Sequence, residues 1–327
     1  MIIGQTKATV THCFSNPELP IIKPGYPGNQ MADGTFIGFR SRSKSLLDIL
    51  KWKFSSNPKK EEKANEAYAL KVIKRPHRPD TKEDHLCWLG HATFLIQIDG
   101  KRIITDPCLT APPLTRRHTE LPFGINQIDP HYLLISHGHY DHLDSDTIEH
   151  FDHAAALVPL KMSDLLRKIN PTLTIQEAGW YQQYRIAENF EVYFLPSLHW
   201  HRRGLSDTNE VLWGSYILKT PHTTLYFAGD TAYGEHFKEI GALFDIDIAI
   251  LPIGAYAPRW FMGDNHMDPQ DALKAFHDLK AKTLLPMHYG TFDLTDEPMG
   301  EPEQMLRALG TKENVRFVDI GEIVPLG

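Results

Sequence analysis

The sequence predicts an α/β fold with two β-sheets held between layers of helix. Two observations carry this. From residue 85 onward, short apolar runs bounded by Gly, Pro, Asn and Asp recur as strands. Segments with helical apolar spacing are interleaved among them, an alternation that buries strands on both faces. The length, 327 residues, allows one large domain or two small ones with an ample core.

Residues 1–80 read as an extension packing on a main domain over 81–327. "NPELPIIKPGYPGNQ" (16–30) is rich in Pro, Gly and Asn and predicts an irregular cover. "SRSKSLLDILKWKF" (41–54) has a helical pattern through Leu46, Leu47, Leu50 and Phe54. Its aromatics and Lys44, Lys51 and Lys53 suit an interfacial helix on a bilayer; packing on the domain or on a dimer partner is the other reading. Residues 57–80 are charged and predict a surface connection with a short helix.

Strands are predicted in "HLCWLGHATFLIQID" (85–99), with Asp99-Gly100 as a hairpin turn, and in "KRIITD" (101–106) and "HYLLISH" (131–137). "SDTIEHF" (145–151) predicts a helix capped by Ser145, "AALVPL" (155–160) a strand and "MSDLLRKI" (162–169) a helix. Five strands follow, at 174–178, 184–187, 190–197, 214–220 and 223–230. "EHFKEIGALF" (235–244) is a helix and "IDIAILPI" (246–253) a buried strand. "DPQDALKAFHDL" (268–279) is a helix with Asp268 as N-cap and Pro269 at its first position. Strands at 281–288 and 315–324 close the chain.

Composition narrows function. The net charge of -7 offers no basic field for nucleic acid. The sequence lacks an apolar run long enough to span a bilayer, and "MIIGQTKATVTHCF" (1–14) does not read as a signal peptide. Cys13, Cys87 and Cys108 are odd in number and lack CxxC spacing, which suits a reducing compartment. A cytoplasmic location, with peripheral membrane association as an option, is expected.

The 18 histidines are the unusual feature. His137, His139, Asp141 and His142 form H-x-H-x-D-H directly after the strand "YLLIS". Imidazole and carboxylate are ligands for zinc or iron, and loops leaving buried strands are where such folds place chemistry. An isolated HxH reads equally as a hydrogen-bonded loop pair. Here three further candidates stand just past predicted strands: His199, Asp230 and His288. Asp106, at another strand end, suits a carboxylate that accepts a hydrogen bond from a liganding histidine; a turn aspartate before Pro107 is the plainer reading.

The order HxHxDH, His, Asp, His resembles the metallo-β-lactamase superfamily. The resemblance implies an αββα sandwich with a binuclear site at one edge, holding two zinc ions, with iron or manganese as alternatives. It assigns His137, His139 and His199 to one metal, Asp141, His142 and His288 to the second, and Asp230 to both. The implied nucleophile is a metal-bridging hydroxide. "WLGHATFLIQIDGKRIITDP" (88–107), "HWHRRGLSDTNEVLWGSY" (199–216), "LPIGAYAPRWFM" (251–262), "HMDPQDA" (266–272) and "HYGTF" (288–292) are similar to N-acylphosphatidylethanolamine-hydrolysing phospholipases D and their bacterial relatives, over about residues 85–295. That family implies phospholipase D-like phosphodiester hydrolysis, separating an N-acylethanolamine from phosphatidic acid. A lactonase of the ascorbate-6-phosphate type on the same scaffold is the alternative.

Asp141 and His266 are the catalytic candidates, His266 as a proton donor to the leaving alkoxide or as a loop histidine capping a neighbour. Arg202, Arg203 and Arg259 are candidate phosphate anchors, or solvated loop arginines. Tyr289 suits an oxyanion contact or packing. Trp200, Trp213 and Trp260 read as core or pocket walls. The expected partners are a phospholipid or other phosphodiester, a membrane surface touched peripherally, and a second copy of the chain as a homodimer; nucleic acid is not expected.

Overall fold

The computed structural model describes residues 12–38 and 46–326. The opening residues and residues 39–45, including the start of the helix predicted over 41–54, lie outside them.

The chain begins with a small antiparallel sheet of β1 (His12–Phe14), β2 (Asn29–Ala32) and β3 (Thr35–Phe36). The sequence predicts only irregular cover here, because strands this short cannot display alternation. Leu19, Met31 and Phe36 nevertheless join the main apolar cluster. Helices α1 (Leu46–Phe54) and α2 (Lys60–Asn65) follow. Trp52 fixes α1 to the body of the protein by stacking on Phe261 at 5.0 Å and donating to Asp296 Oδ1 at 3.1 Å. Leu47 and Phe54 stay exposed.

The first large sheet opens with β4 (His85–Gly90), β5 (Thr93–Ile98), β6 (Lys101–Thr105) and β7 (Tyr132–Leu134). Helix α3 (Ser145–Ile148), β8 (Ala155–Pro159), α4 (Ser163–Ile169) and β9 (Thr174–Ala178) continue it. The second sheet contains β10 (Gln182–Gln183), β11 (Glu191–Leu195), β12 (Ser215–Lys219), β13 (Thr224–Phe227), β14 (Ile248–Pro252) and β15 (Thr283–Met287), in that order. Helix α5 (His236–Leu243) precedes β14. Helices α6 (Arg259–Met262) and α7 (Pro269–Leu279) precede β15, and α8 (Glu301–Leu309) follows it. Strand β16 (Ile323–Pro325) returns to pair with β4 at the edge of the first sheet.

Alternation along the first sheet explains the layers. Leu86, Trp88, Phe94, Ile96, Ile103, Leu134 and Leu157 point into a cluster shared with Phe194, Tyr216, Phe227 and Ile250 of the second sheet. Their neighbours Cys87, Leu89, Leu95, Ile104, Leu133 and Ala156 face the other way, onto Ile148 of α3 and Leu166 of α4. Phe237 of α5 and Ala272, Ala275 and Phe276 of α7 belong with the second sheet's cluster. The result is helix, sheet, sheet, helix. Tyr216 ties the sheets together, its buried hydroxyl lying 2.8 Å from Ile135 O and 2.9 Å from Leu157 O, with its one proton shared between them.

Strand direction sets the active edge. β4 and β6 flank antiparallel β5, and β6, β7 and β8 are parallel, so β4, β6 and β7 end on the same side. In the second sheet β11, β13, β14 and β15 share one direction for the same reason.

Some local expectations are corrected. Residues 184–187 form no strand; Gln182–Gln183 pair with β11 instead, and Tyr184 sends its ring into the core and its hydroxyl to Val158 O (2.8 Å). Helix α3 is one turn capped by Asp144 rather than Ser145. The strand predicted over 315–324 shrinks to β16 and two isolated bridges, Val315 to Leu284 and Ile320 to Val72. Helix α8 was not foreseen, since Pro302 and three acidic or amide residues mask its apolar face. Helix α7 has the predicted cap: Asp268 accepts from Asp271 N at 2.9 Å, with Pro269 following.

Gly229, just past β13, has φ 58°, and a Cβ there would lie 2.6 Å from Ser136 Cβ, under the loop that follows β7. Gly229→Ala combines overpacking with a disfavoured backbone. It is expected to cost at least about 2 kcal/mol in urea unfolding; an unchanged midpoint would show that this contact is not tight.

Candidate metal centre

The C-terminal ends of the parallel strands carry the chemistry. His91 closes the turn after β4, Asp106 follows β6, His137 to His142 follow β7, and His199, Asp230 and His288 follow β11, β13 and β15. His91, Asp106 and His288 have φ of 55°, 33° and 65°. A non-glycine residue in this region costs about 1–2 kcal/mol, and three such residues at one edge mark a place where side-chain aim outweighs backbone comfort. After His139 the chain makes a tight turn, with His142 N and Leu143 N both donating to His139 O. That turn separates the aim of His137 and His139 from that of Asp141 and His142.

The side chains converge into two overlapping groups. His137, His139, His199 and Asp230 form one, His91, Asp141, His142 and His288 the other; within each, potential ligand atoms lie within 4.8 Å of one another. Asp230 stands between them. Its Oδ2 is 3.2 Å from His142 Nε2, 3.8 Å from His199 Nε2 and 3.9 Å from His137 Nε2, and its Oδ1 is 3.0 Å from His288 Nε2. Imidazole nitrogens also face each other: His137 Nε2 and His139 Nδ1 at 2.9 Å, His199 Nε2 and His139 Nδ1 at 3.2 Å, His142 Nε2 and His288 Nε2 at 3.2 Å. Converging lone pairs of this kind, together with the buried Asp230 Oδ1, whose 3.0 Å approach to His288 Nε2 is not aligned as a hydrogen bond, fit a bound cation.

The far sides of the rings are held. Asp106 is fully buried; its Oδ2 lies 2.6 Å from both His142 Nδ1 and Ser136 Oγ, and its Oδ1 accepts from Ser136 N at 2.6 Å. Ser136 Oγ in turn lies 2.9 Å from His137 Nδ1. His199 Nδ1 meets Asn265 O at 3.1 Å. Such contacts fix each tautomer and leave Nε2 free for a metal.

Electrostatics match. Burial, reinforced by neighbouring imidazoles, pushes His137 far below its usual value. Burial brings His91, His139, His199 and His266 down to about 3. Burial alone would raise Asp141 and Asp230, but the surrounding imidazoles, His142 foremost, overcome it and hold both carboxyls well below the usual range. Burial likewise opposes protonation of His142 and His288, yet Asp230 and its fellow carboxylates outweigh it, lifting His142 well above its usual value and His288 to about 9. A field that favours the charged form of two buried imidazoles also favours divalent cations, which compete with protons for the same nitrogens.

The other sequence candidates lie as follows. His266 comes to the cluster, with Nδ1 3.8 Å from Asp230 Oδ2 and its ring against His199. Arg259 is turned onto Asp271 Oδ2 (2.7 Å) and His266 O (3.1 Å), so it supports the His266 loop. Arg202 lies over Trp200 at 5.5 Å, and that indole meets His139 edge-on. Arg203 donates to main-chain carbonyls. Tyr289 is buried against Trp88 at 5.3 Å, within the core. Trp213 is buried and donates to Ser197 O at 3.1 Å, while Trp260 is half-exposed. Sequence reasoning missed His91, whose Nε2 lies 3.0 Å from Asp141 Oδ2. The available signal was Gly90-His91, a turn inside the stretch 85–99 that the sequence reads as one or two strands.

Comparison with known proteins agrees with the geometry. Residues 101–289 match the family model described as a β-lactamase superfamily domain. N-acyl-phosphatidylethanolamine-hydrolyzing phospholipase D 1 of Caenorhabditis elegans is 32% identical over 72% of this chain and 74% of its own. The mitochondrial enzyme of the same name from Saccharomyces cerevisiae is 34% identical over 77% of this chain, which spans only 60% of that protein. A solved metallo hydrolase from the archaeon Ignicoccus hospitalis shares the fold, with a TM-score of 0.58, 22% identity, and coverage of 75% of this chain and 98% of the other. The chain thus belongs to the metallo-β-lactamase superfamily. Within it, the protein is a metal-dependent hydrolase related to the N-acyl-phosphatidylethanolamine-hydrolysing phospholipases D.

Asp106→Asn keeps the shape but places an amide N–H against Ser136 or His142. Metal affinity, measured by chelator competition, is expected to fall about 10–100-fold. Unchanged affinity would mean that Asp106 serves the fold alone.

Proposed function

We propose that the protein is a binuclear zinc phosphodiesterase that hydrolyses N-acylphosphatidylethanolamine or a related lipophilic phosphodiester. The observation that carries this is the position of Asp230, one carboxylate within reach of His137 and His199 on one side and His142 and His288 on the other. In this reading His137, His139 and His199 hold one cation, Asp141, His142 and His288 the second, and Asp230 both. His91 and Asp106 orient Asp141 and His142. Two zinc ions bound there would supply Lewis acidity and a hydroxide nucleophile at neutral pH.

The relatives named for N-acyl-phosphatidylethanolamine hydrolysis support the substrate class. The chain's own residues add a reason. A phosphodiester gains negative charge as the leaving alkoxide departs, and a donor beside that oxygen lowers the barrier. His266 sits at the cluster's rim, only partly exposed, on a loop that Arg259 ties to α7 through Asp271. We assign it that role, with Asp141 as the carboxylate that His91 aims. Arg259 then acts on the substrate only through His266. Arg202, beside Trp200 and His139, is the guanidinium best placed to meet a phosphate oxygen. Tyr289 forms wall rather than oxyanion contact. Among the described residues no helix is long and apolar enough to cross a membrane.

His266→Ala should retain its metals and lose about 10²–10³-fold in phosphodiester turnover. The test pairs this variant with the wild type on N-acylphosphatidylethanolamine in mixed micelles, a soluble phosphodiester and a lactone. Wild-type protein that opens lactones and leaves both phosphodiesters intact would replace this reading with the lactonase one.

A further inference from the structure

Gly138 separates His137 from His139, and both polar groups of its backbone are gripped by one distant stretch. Its N–H donates to His201 Nδ1 at 3.2 Å. Its carbonyl accepts from Arg203 Nη1 at 3.1 Å. The same Arg203 Nη1 reaches Leu143 O at 2.7 Å, and Nη2 reaches Ser145 Oγ at 3.0 Å. The guanidinium therefore spans the whole turn from Gly138 to Ser145, and it is stacked on Tyr140 at 4.1 Å. Tyr140 completes the embrace by donating to Arg203 O at 3.0 Å. A side chain at 138 would run into Cε1 of His201, so the middle residue of HxH is glycine because His201 occupies that space.

The gripping stretch is itself locked. Asp207 accepts from Arg203 N at 3.1 Å and from Gly204 N at 2.7 Å. Asn209 Oδ1 accepts from His201 N at 3.0 Å, and Asn209 N donates to His201 O at 2.8 Å. The carbonyl of Asn209 accepts from Phe36 N at 2.7 Å, which joins the N-terminal sheet to this loop.

We propose that His201 and Arg203 are positioning residues that aim His137 and His139 by clamping the Gly138 peptide. The proposal rests on the two-cation reading above. His199 stands on the same stretch, so a single loop both lends one imidazole to the first cation and orients the other two. Asp141, His142 and His288 are held by Asp106, His91 and β15 and do not use the Gly138 peptide. Loss of the His201 contact should therefore act on one cation, whereas loss of Arg203, which also holds Leu143 O beside His142, reaches the second cation as well. A phosphate anchor at 203 would act on substrate instead.

The experiment is zinc titration of the zinc-depleted full-length chain against a chromophoric chelator, for wild type, Arg203→Met, Arg203→Lys, His201→Leu and His201→Asn. His201→Leu is expected to weaken one zinc equivalent by about 10–100-fold and leave the other nearly unchanged, and Arg203→Met to weaken that same equivalent and, to a smaller degree, the other. His201→Asn, which returns an acceptor near the Nδ1 position, should recover most of the loss, and Arg203→Lys should fall between. The cobalt(II)-loaded proteins should show the same division, with only part of the visible spectrum altered. Equal weakening of both equivalents in His201→Leu, or unchanged affinity for both in either variant with a raised KM for a soluble phosphodiester, would overturn the clamp. Fewer than two equivalents in the wild type would overturn the two-cation reading first, and that is read before any variant is compared. If Arg203→Met does not fold, the His201→Leu and His201→Asn pair decides alone.

Discussion

A carboxylate buried among imidazoles organises this protein. Asp230 is 2% exposed, and Asp106, a few ångströms away through His142, is wholly buried. Taking a carboxylate out of water costs several kcal/mol unless opposite charge and hydrogen bonds replace the lost hydration. The chain meets that demand locally. His142 is wedged between the two carboxylates, 2.6 Å from one and 3.2 Å from the other, and they raise its pKa well above the usual imidazole value. Bound cations would answer the same demand more completely, which would couple metal binding to folding.

The sandwich serves this constraint by bringing strand ends together. Two sheets packed through Trp88, Phe94, Phe194, Tyr216 and Phe227 present their parallel strands' C-terminal ends at one edge. The loop after β7 contributes four side chains, and the ends of β4, β6, β11, β13 and β15 contribute one each. Precision comes from behind. Ser136 relays Asp106 to His137, Asn265 holds His199, and Arg203 spans the turn after His137. Strained backbone at His91, Asp106 and His288 is tolerated because the packed sheets over-determine it.

Much of this was legible in the residues. His199, Asp230 and His288 each follow an apolar run too short for a helix and too apolar for a loop, so their placement at strand ends could be read directly, and the structure brings them to the HxHxDH turn. His91 was hidden because the strand pattern on either side runs through it without a polar break. The roles of Arg203 and Arg259 were not legible. Their guanidiniums bind main-chain carbonyls, of Gly138 and His266, and a carbonyl leaves no mark in a sequence. The small N-terminal sheet and α8 were missed for a related reason: strands of two to four residues and a helix opening on Glu301-Pro302 carry too little periodicity.

The central claim is that one carboxylate serves both halves of the site. Elemental analysis and chelator titration of Asp230→Asn, beside wild type purified without chelator, test it most directly. The wild type should carry two equivalents of metal. A neutral amide cannot balance two cations, so the variant should bind at least one of them far more weakly and lose hydrolysis, while its unfolding remains cooperative. An Asp230→Asn protein that keeps both metals and its turnover would contradict the claim.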